Sequence, residues 1–169
     1  MTPAPLPVDP IAEARRQWVA HGWGEVADGM AAVTSIMRAQ QILLGRVDKL
    51  LRPHGLTFAR YELLMLLLFS RTGAMPMNKA SARLQVHPTS VTNVVDRLEG
   101  AGLVERRPHP TDRRTTLVAI TDQGRETAEA ATAVLNTEVF ADPGIDAGGV
   151  DRLVEVLTAM RRGAGDFAD

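Results

Sequence analysis

No cysteine occurs in this chain, so it holds no disulfide and cannot sense oxidants through a thiol. Its four histidines, His21, His54, His87 and His109, are scattered without a short repeated spacing, and no carboxylate cluster completes a ligand set. No metal site and no cofactor are expected. An enzyme is not expected either. No nucleophile stands beside a plausible base, no glycine loop is built to cradle phosphates, and Gly100, Gly102 and Gly124 have structural explanations. Long apolar runs are missing as well. The most apolar stretch, 63–69, is seven residues long, against the roughly 20 needed to span a bilayer. The opening MTPAPLPVDP is proline-rich and lacks the basic start and apolar run of a signal peptide. The expected location is the cytoplasm, with no membrane partner.

What is present suits one soluble domain of ordinary core size: 169 residues, 45% hydrophobic and 23% charged. The formal net charge is −1, but it is unevenly spread. Residues 79–114 hold seven Lys/Arg against four Asp/Glu, a net +3, whereas residues 115–169 hold four against ten, a net −6. Attraction to a polyanion follows local potential rather than total charge, so a basic head on an acidic body is compatible with DNA binding.

The pattern outside the central third is helical. Asp9 and Pro10 make a helix start, with Ile11, Ala14 and Trp18 on one face before Gly22. A long helix over 25–51 repeats Met30, Val33, Met37, Gln40, Leu44, Val47 and Leu51 at spacings of three and four, widened by Ile36, Leu43 and Leu50. One side of such a stripe packs on its own domain, and the remaining width wants another helix, from this chain or a second copy. Beyond a turn at 53–56, the segment 57–71 is apolar almost all round and reads as a buried strut. Later come an alanine-rich helix over 125–140, capped by Thr121 and broken at Asp142, Pro143 and Gly144, and a helix over 147–162. The latter carries Val150, Leu153, Val154, Leu157 and Met160 along one side.

In the central third, residues 76–84 form a short helical pattern with Met77, Ala80 and Leu84 inward, and Gln85, Val86 and His87 turn the chain. Pro88 starts the next helix, where its fixed φ and missing N–H are tolerated. Short helix, tight turn and second helix is the helix-turn-helix order. In the second helix Val91, Val94, Val95 and Leu98 share one side, with Thr89, Asn93 and Asp96 opposite, flanked by Ser90, Thr92 and Arg97. A face of hydroxyls, an amide and a guanidinium suits base edges and phosphates in a major groove. An amphipathic helix with a merely solvated outer face would read the same way. Residues 103–107 and 115–120 are rich in β-branched residues and read as a hairpin, with Arg106, Arg107, His109, Arg113 and Arg114 in and around its loop.

The run VTNVVDRLEGAGLVERRPHPTDRRTTLVAITDQGRE resembles the core of the MarR family of winged helix-turn-helix transcriptional regulators. The D-R-L-E-x-x-G-L-V-x-R segment stands at 96–106, the D-x-R wing tip at 112–114, and the L-T-x-x-G segment at 120–124 with Ile120 replacing leucine. The element order agrees over roughly residues 30–162. The resemblance implies a mainly α fold with a small β-hairpin wing: a winged helix-turn-helix domain at 55–121, a helical dimerisation region from 25–54 and 122–163, and an N-terminal extension with a short helix at 1–24. It implies a homodimer bound to double-stranded DNA at a pseudo-palindromic operator, with half-sites about 34 Å apart, acting as a repressor released by a small-molecule ligand. The alternative is a winged-helix module for protein interaction without DNA affinity. A steep fall of DNA binding with salt separates the two.

On that reading, Thr89, Ser90, Thr92 and Asn93 lie in the half of the recognition helix that reaches base edges, with Asn93 able to pair bidentately with adenine. Lys79 and Arg97 are placed for phosphates, Arg106 joins them from the base of the strand, and Arg113 and Arg114 are placed for the minor groove at the wing tip. Asp96 would repel phosphate unless neutralised, and the resemblance supplies Arg114 as its partner. The N-terminal extension with Trp18 is similar to that of the urate-responsive subgroup. There, a tryptophan in the extension and an acidic residue in the strut helix, here Glu62, belong to the ligand region. Where the subgroup has an arginine just before the short helix, this chain has Met75. Trp18, His21, Trp23, Arg38 and Glu62 are the expected lining of a pocket for a small aromatic or anionic effector.

Overall fold

The computed structural model describes residues 6–84, 88–112 and 114–167, with the backbone alone described at Pro88 and Thr89. The chain divides into two compact units, Met1–Lys49 and Leu50–Asp169. In the first, α1 (Pro10–Ala20) begins where Asp9 Oδ1 accepts the Ile11 N–H at 2.9 Å, satisfying one of the donors that every helix start leaves free. A 3₁₀ turn, Gly24–Val26, leads into α2 (Ala27–Leu51), which runs across the boundary between the units. Along its apolar stripe Val47 and Leu51 are buried, but Val33, Ile36, Met37, Leu43 and Leu44 are exposed. Most of the stripe is left uncovered.

The second unit contains α3 (Phe58–Leu68), β1 (Ala74–Pro76), α4 (Met77–Leu84), α5 (Pro88–Gly100), β2 (Val104–Pro108), β3 (Thr116–Ile120), α6 (Asp122–Leu135) and α7 (Ala147–Gly163). Helix α3 packs against α4, α5, α6 and β3 and buries Leu63, Leu64 and Leu67 completely. Each such leucine contributes about 1.5–3 kcal/mol over an exposed one. The strut is therefore real, but it stops at Leu68 rather than at 71 and leaves Phe69 78% exposed. Helix α6 approaches α3 through the small buried side chains Ala128 and Ala131, and the Thr132 and Tyr61 hydroxyls share a hydrogen bond of 3.0 Å. It passes into a π-helical stretch, Asn136–Phe140.

The wing is three-stranded rather than a simple hairpin. The order is β1-β3-β2, both pairings antiparallel, with Met75 opposite Val118. Strand β1 is too short for alternation to show and ends in proline, so the sequence pattern does not reveal it. Its pairing accounts for Met75 as a buried core residue.

Thr121 ties the end of β3 to the start of α6. Its hydroxyl donates to the Gly102 carbonyl at 2.8 Å and accepts from the Gly124 N–H at 3.0 Å, while its own N–H donates to the Leu103 carbonyl at 3.1 Å. A Cβ at Gly124 would stand 2.0 Å from that same Leu103 oxygen, so glycine alone permits the approach. Helix α7 starts on Asp146, whose carboxylate accepts the Gly149 N–H at 2.6 Å, and buries none of its residues. Among the described residues no helix is long and apolar enough to cross a membrane.

Candidate nucleic-acid interface

Helix α5 is held from beneath. Val91, Val95 and Leu98 are at most 1% exposed and Val94 is half-buried, which leaves Ser90, Thr92, Asn93, Asp96 and Arg97 exposed on the outer face. This is the division its 3.6-residue period demands. Helix α4 packs against α5, and the two flank a half-open hollow of about 380 Å³ lined by Met77, Asn78, Ser81, Ala82, Val91 and Thr92. Lys79 is exposed on α4, with its backbone N–H donating to Asn78 Oδ1 at 2.8 Å. The Thr89 side chain, the turn at 85–87 and Arg113 lie outside the described residues.

The ionic partner of Asp96 is Arg106, not Arg114. Arg106 Nη2 reaches Asp96 Oδ1 at 2.5 Å, and Nη1 bonds Glu99 Oε2. Glu99 also accepts the Arg106 backbone N–H at 2.9 Å. The reason is positional. Strand β2 leaves the turn after α5 and runs back beside it, so Arg106 lies within reach of two carboxylates that share a helix flank at i and i+3. Arg114 stands beyond the strands, in the loop. The hydrogen bond that Arg106 donates to Asp96, followed by the one it donates to Glu99, raises its pKa above the ordinary value. Arg107 is turned to its neighbour Glu105, Nε to Oε1 at 2.7 Å.

The wing loop is organised by its own side chains. The His109 N–H donates to the Thr115 carbonyl at 3.1 Å, and the Thr115 N–H to the Asp112 carbonyl at 3.0 Å. Asp112 accepts the Thr115 hydroxyl at 2.7 Å and the Arg114 N–H at 2.9 Å, and these two bonds hold its carboxyl below the usual value. His109 Nδ1 faces the N–H groups of Thr111 and Asp112 at 3.3 and 3.2 Å. Asp112 therefore shapes the loop on which the Arg114 side chain is exposed. The sequence pattern placed Glu99, His109 and Thr115 in the helix, loop and strand but did not reveal these partnerships. Their signals were the i, i+3 acid pair ahead of a basic strand and the Asp-x-x-Thr spacing of a tight turn.

Of the five expected ligand-pocket residues, the structure brings three together. Trp18 and Trp23 meet edge to face with centroids 5.5 Å apart, and His21 stacks on Trp23 at 5.7 Å. His21 also closes α1, with Nδ1 2.8 Å from the Gln17 carbonyl oxygen. Arg38 is not part of that cluster: it stands about 16 Å along the α2 axis from Ala27 and bonds Gln41 at 3.2 Å. Glu62 belongs to α3 in the second unit; the residue is exposed, and partial desolvation of its carboxyl pushes its pKa up.

Residues 56–116 match the model described as MarR family. The chain is 30% identical over 123 residues to the HTH-type transcriptional regulator MhqR of Bacillus subtilis, covering 73% of this chain and 76% of that protein. Among solved structures it is similar to Sco5413, a MarR family transcriptional regulator from Streptomyces coelicolor, at 54% identity and a TM-score of 0.77, covering 84% of this chain and 99% of the other. It is also similar to CouR from Rhodococcus jostii RHA1 bound to p-coumaroyl-CoA, at 28% identity and a TM-score of 0.65 over 79% of this chain and 92% of that one. The transcriptional repressor CouR bound to a 23-mer DNA duplex matches at 26% identity and a TM-score of 0.68, over 75% and 89%.

Proposed function

Since the chain belongs to the MarR family of winged helix-turn-helix transcriptional regulators, we propose that it acts as a cytoplasmic homodimeric repressor. On this proposal it holds a pseudo-palindromic operator and releases it on binding a small aromatic or anionic effector. The observation that carries the reading is the outer face of α5: an exposed row of hydroxyls, an amide and a guanidinium, rigidly backed by core valines and leucine and flanked by a basic wing. Thr89, Ser90, Thr92 and Asn93 then read base edges, Lys79 and Arg97 hold phosphates, and Arg113 and Arg114 enter the minor groove.

The uncovered apolar faces of α2 and α7 support a dimer joined through 25–54 and 122–163. The Trp18, His21 and Trp23 cluster supports an aromatic ligand, and CouR bound to p-coumaroyl-CoA is a relative whose ligand joins an aromatic ring to phosphates.

The test is selection of duplexes from a randomised pool, followed by titration of the selected duplex against salt. The expected product is a two-fold site with half-sites about one turn apart, and log K should fall against log salt by about 0.9 for each phosphate neutralised. Failure to select any duplex would end this reading. Aromatic carboxylates and acyl-CoA thioesters, screened by thermal shift, should include a compound that raises Tm and displaces the duplex.

A further inference from the structure

Arg106 differs from the other described cations of the interface in what it touches and in how little of it is exposed. Its side chain is 29% exposed, while that of Asp96, which it engages, is 53% exposed on the outer face of α5. A guanidinium presents its donors in one rigid plane, so its two terminal nitrogens can serve two carboxylates at once, which the point charge of an ammonium does poorly. Here one nitrogen serves Asp96 and the other Glu99. Arg97, next to Asp96 in sequence, does not face it on a helix, so Arg106 is the cation that cancels this carboxylate. Because Glu99 also accepts the Arg106 main-chain N–H, β2 keeps one anchor to α5 whatever side chain stands at 106.

We propose that Arg106 is a positioning residue for DNA reading: it takes no phosphate itself, but neutralises Asp96 on the reading face and sets β2, and with it the wing, against α5. This rests on the DNA-binding function proposed above. Three variants, R106Q, R106K and the double variant D96N/R106Q, separate this role from direct phosphate contact. The double variant has the same net charge at this pair as the unsubstituted protein, without the ion pair.

With the tightest duplex from the randomised pool, R106Q should bind at least about tenfold more weakly, the effect of an uncompensated carboxylate left at an interface. D96N/R106Q should return to within about threefold of the unsubstituted protein, with the same salt slope. R106K, which keeps the charge but not the fork, should fall between. The proposal is overturned if the double variant binds as weakly as R106Q with a salt slope lower by about 0.9, the mark of a lost phosphate contact. Full binding by R106Q or by R106K overturns it as well. Thermal melts establish that each variant is folded. Should R106Q not fold, the double variant against the unsubstituted protein decides alone. If the unsubstituted protein selects no duplex, the DNA-binding reading itself fails and this inference falls with it.

Discussion

Helices α5 and α7 are both amphipathic, and the chain treats them in opposite ways. Helix α5 sinks Val91, Val95 and Leu98 against its surroundings, where α3, α4 and β2 lie, and keeps its polar face out. Helix α7 carries Leu153, Val154, Val156 and Met160 exposed and buries nothing. Both have caps or breakers that define their ends, so neither is an accident of composition. An apolar stripe states that a face needs cover, but not who provides it. For α5 the cover is the rest of its unit. For α7 and most of α2 no cover is present among the described residues, and uncovered apolar faces of this kind are the ones proposed above for the dimer.

That contrast can be broken by substitution. Leu98→Ala should lower the unfolding free energy by about 3 kcal/mol, as a core truncation does, independently of protein concentration in urea titrations. A loss below about 1 kcal/mol would mean that α5 is not a core element. Val154→Asp should leave helical content intact but weaken self-association by about 2 kcal/mol, roughly 30-fold in Kd, read by sedimentation. Unchanged association would place the dimer interface away from α7. Arg114→Ala moves the comparison from burial to charge. It should reduce affinity for the selected duplex by about 1.5 kcal/mol, roughly tenfold, with no change in Tm. A gel shift without loss would remove Arg114 from the DNA contacts.

The smallest effect is expected at Glu62. Its folded pKa is raised by partial desolvation of an otherwise exposed residue, so ionisation opposes folding weakly: the penalty is absent below the unfolded pKa and complete above the folded one. Glu62→Gln should therefore stabilise within about 0.5 kcal/mol at pH 7 and not at all near pH 4. Equal effects at both pH values would contradict it.

The inner face of α5, the Asp9 and Thr121 caps, the Pro88 start and the break at Asp142 to Gly144 were legible because each depends on neighbours within a turn or two. What escaped depends on register. Nothing local says that Ala74 to Pro76 will find β3, or that hairpin geometry brings Arg106 rather than Arg114 to Asp96. The family motif located the wing correctly and its ion pair wrongly, because a motif records which residues recur and not which of two nearby arginines the pleat turns toward a helix. Arg38 shows the same dependence on geometry: helix rise sets it about 16 Å along α2 from Ala27, a separation that residue type alone does not show.

The junction at Thr121 is a fulcrum. There β3 passes straight into α6, locked by three hydrogen bonds and by the press of Gly124 on the Leu103 carbonyl. The five residues of β3 form an arm of roughly 17 Å. A rotation of about 10° at the fulcrum would swing its far end by about 3 Å, the length of one hydrogen bond. On the DNA-binding reading proposed above, a rotation passed from α6 would thus be enlarged toward the wing tip, and the fit to a groove would depend on a threonine outside the residues proposed to touch DNA.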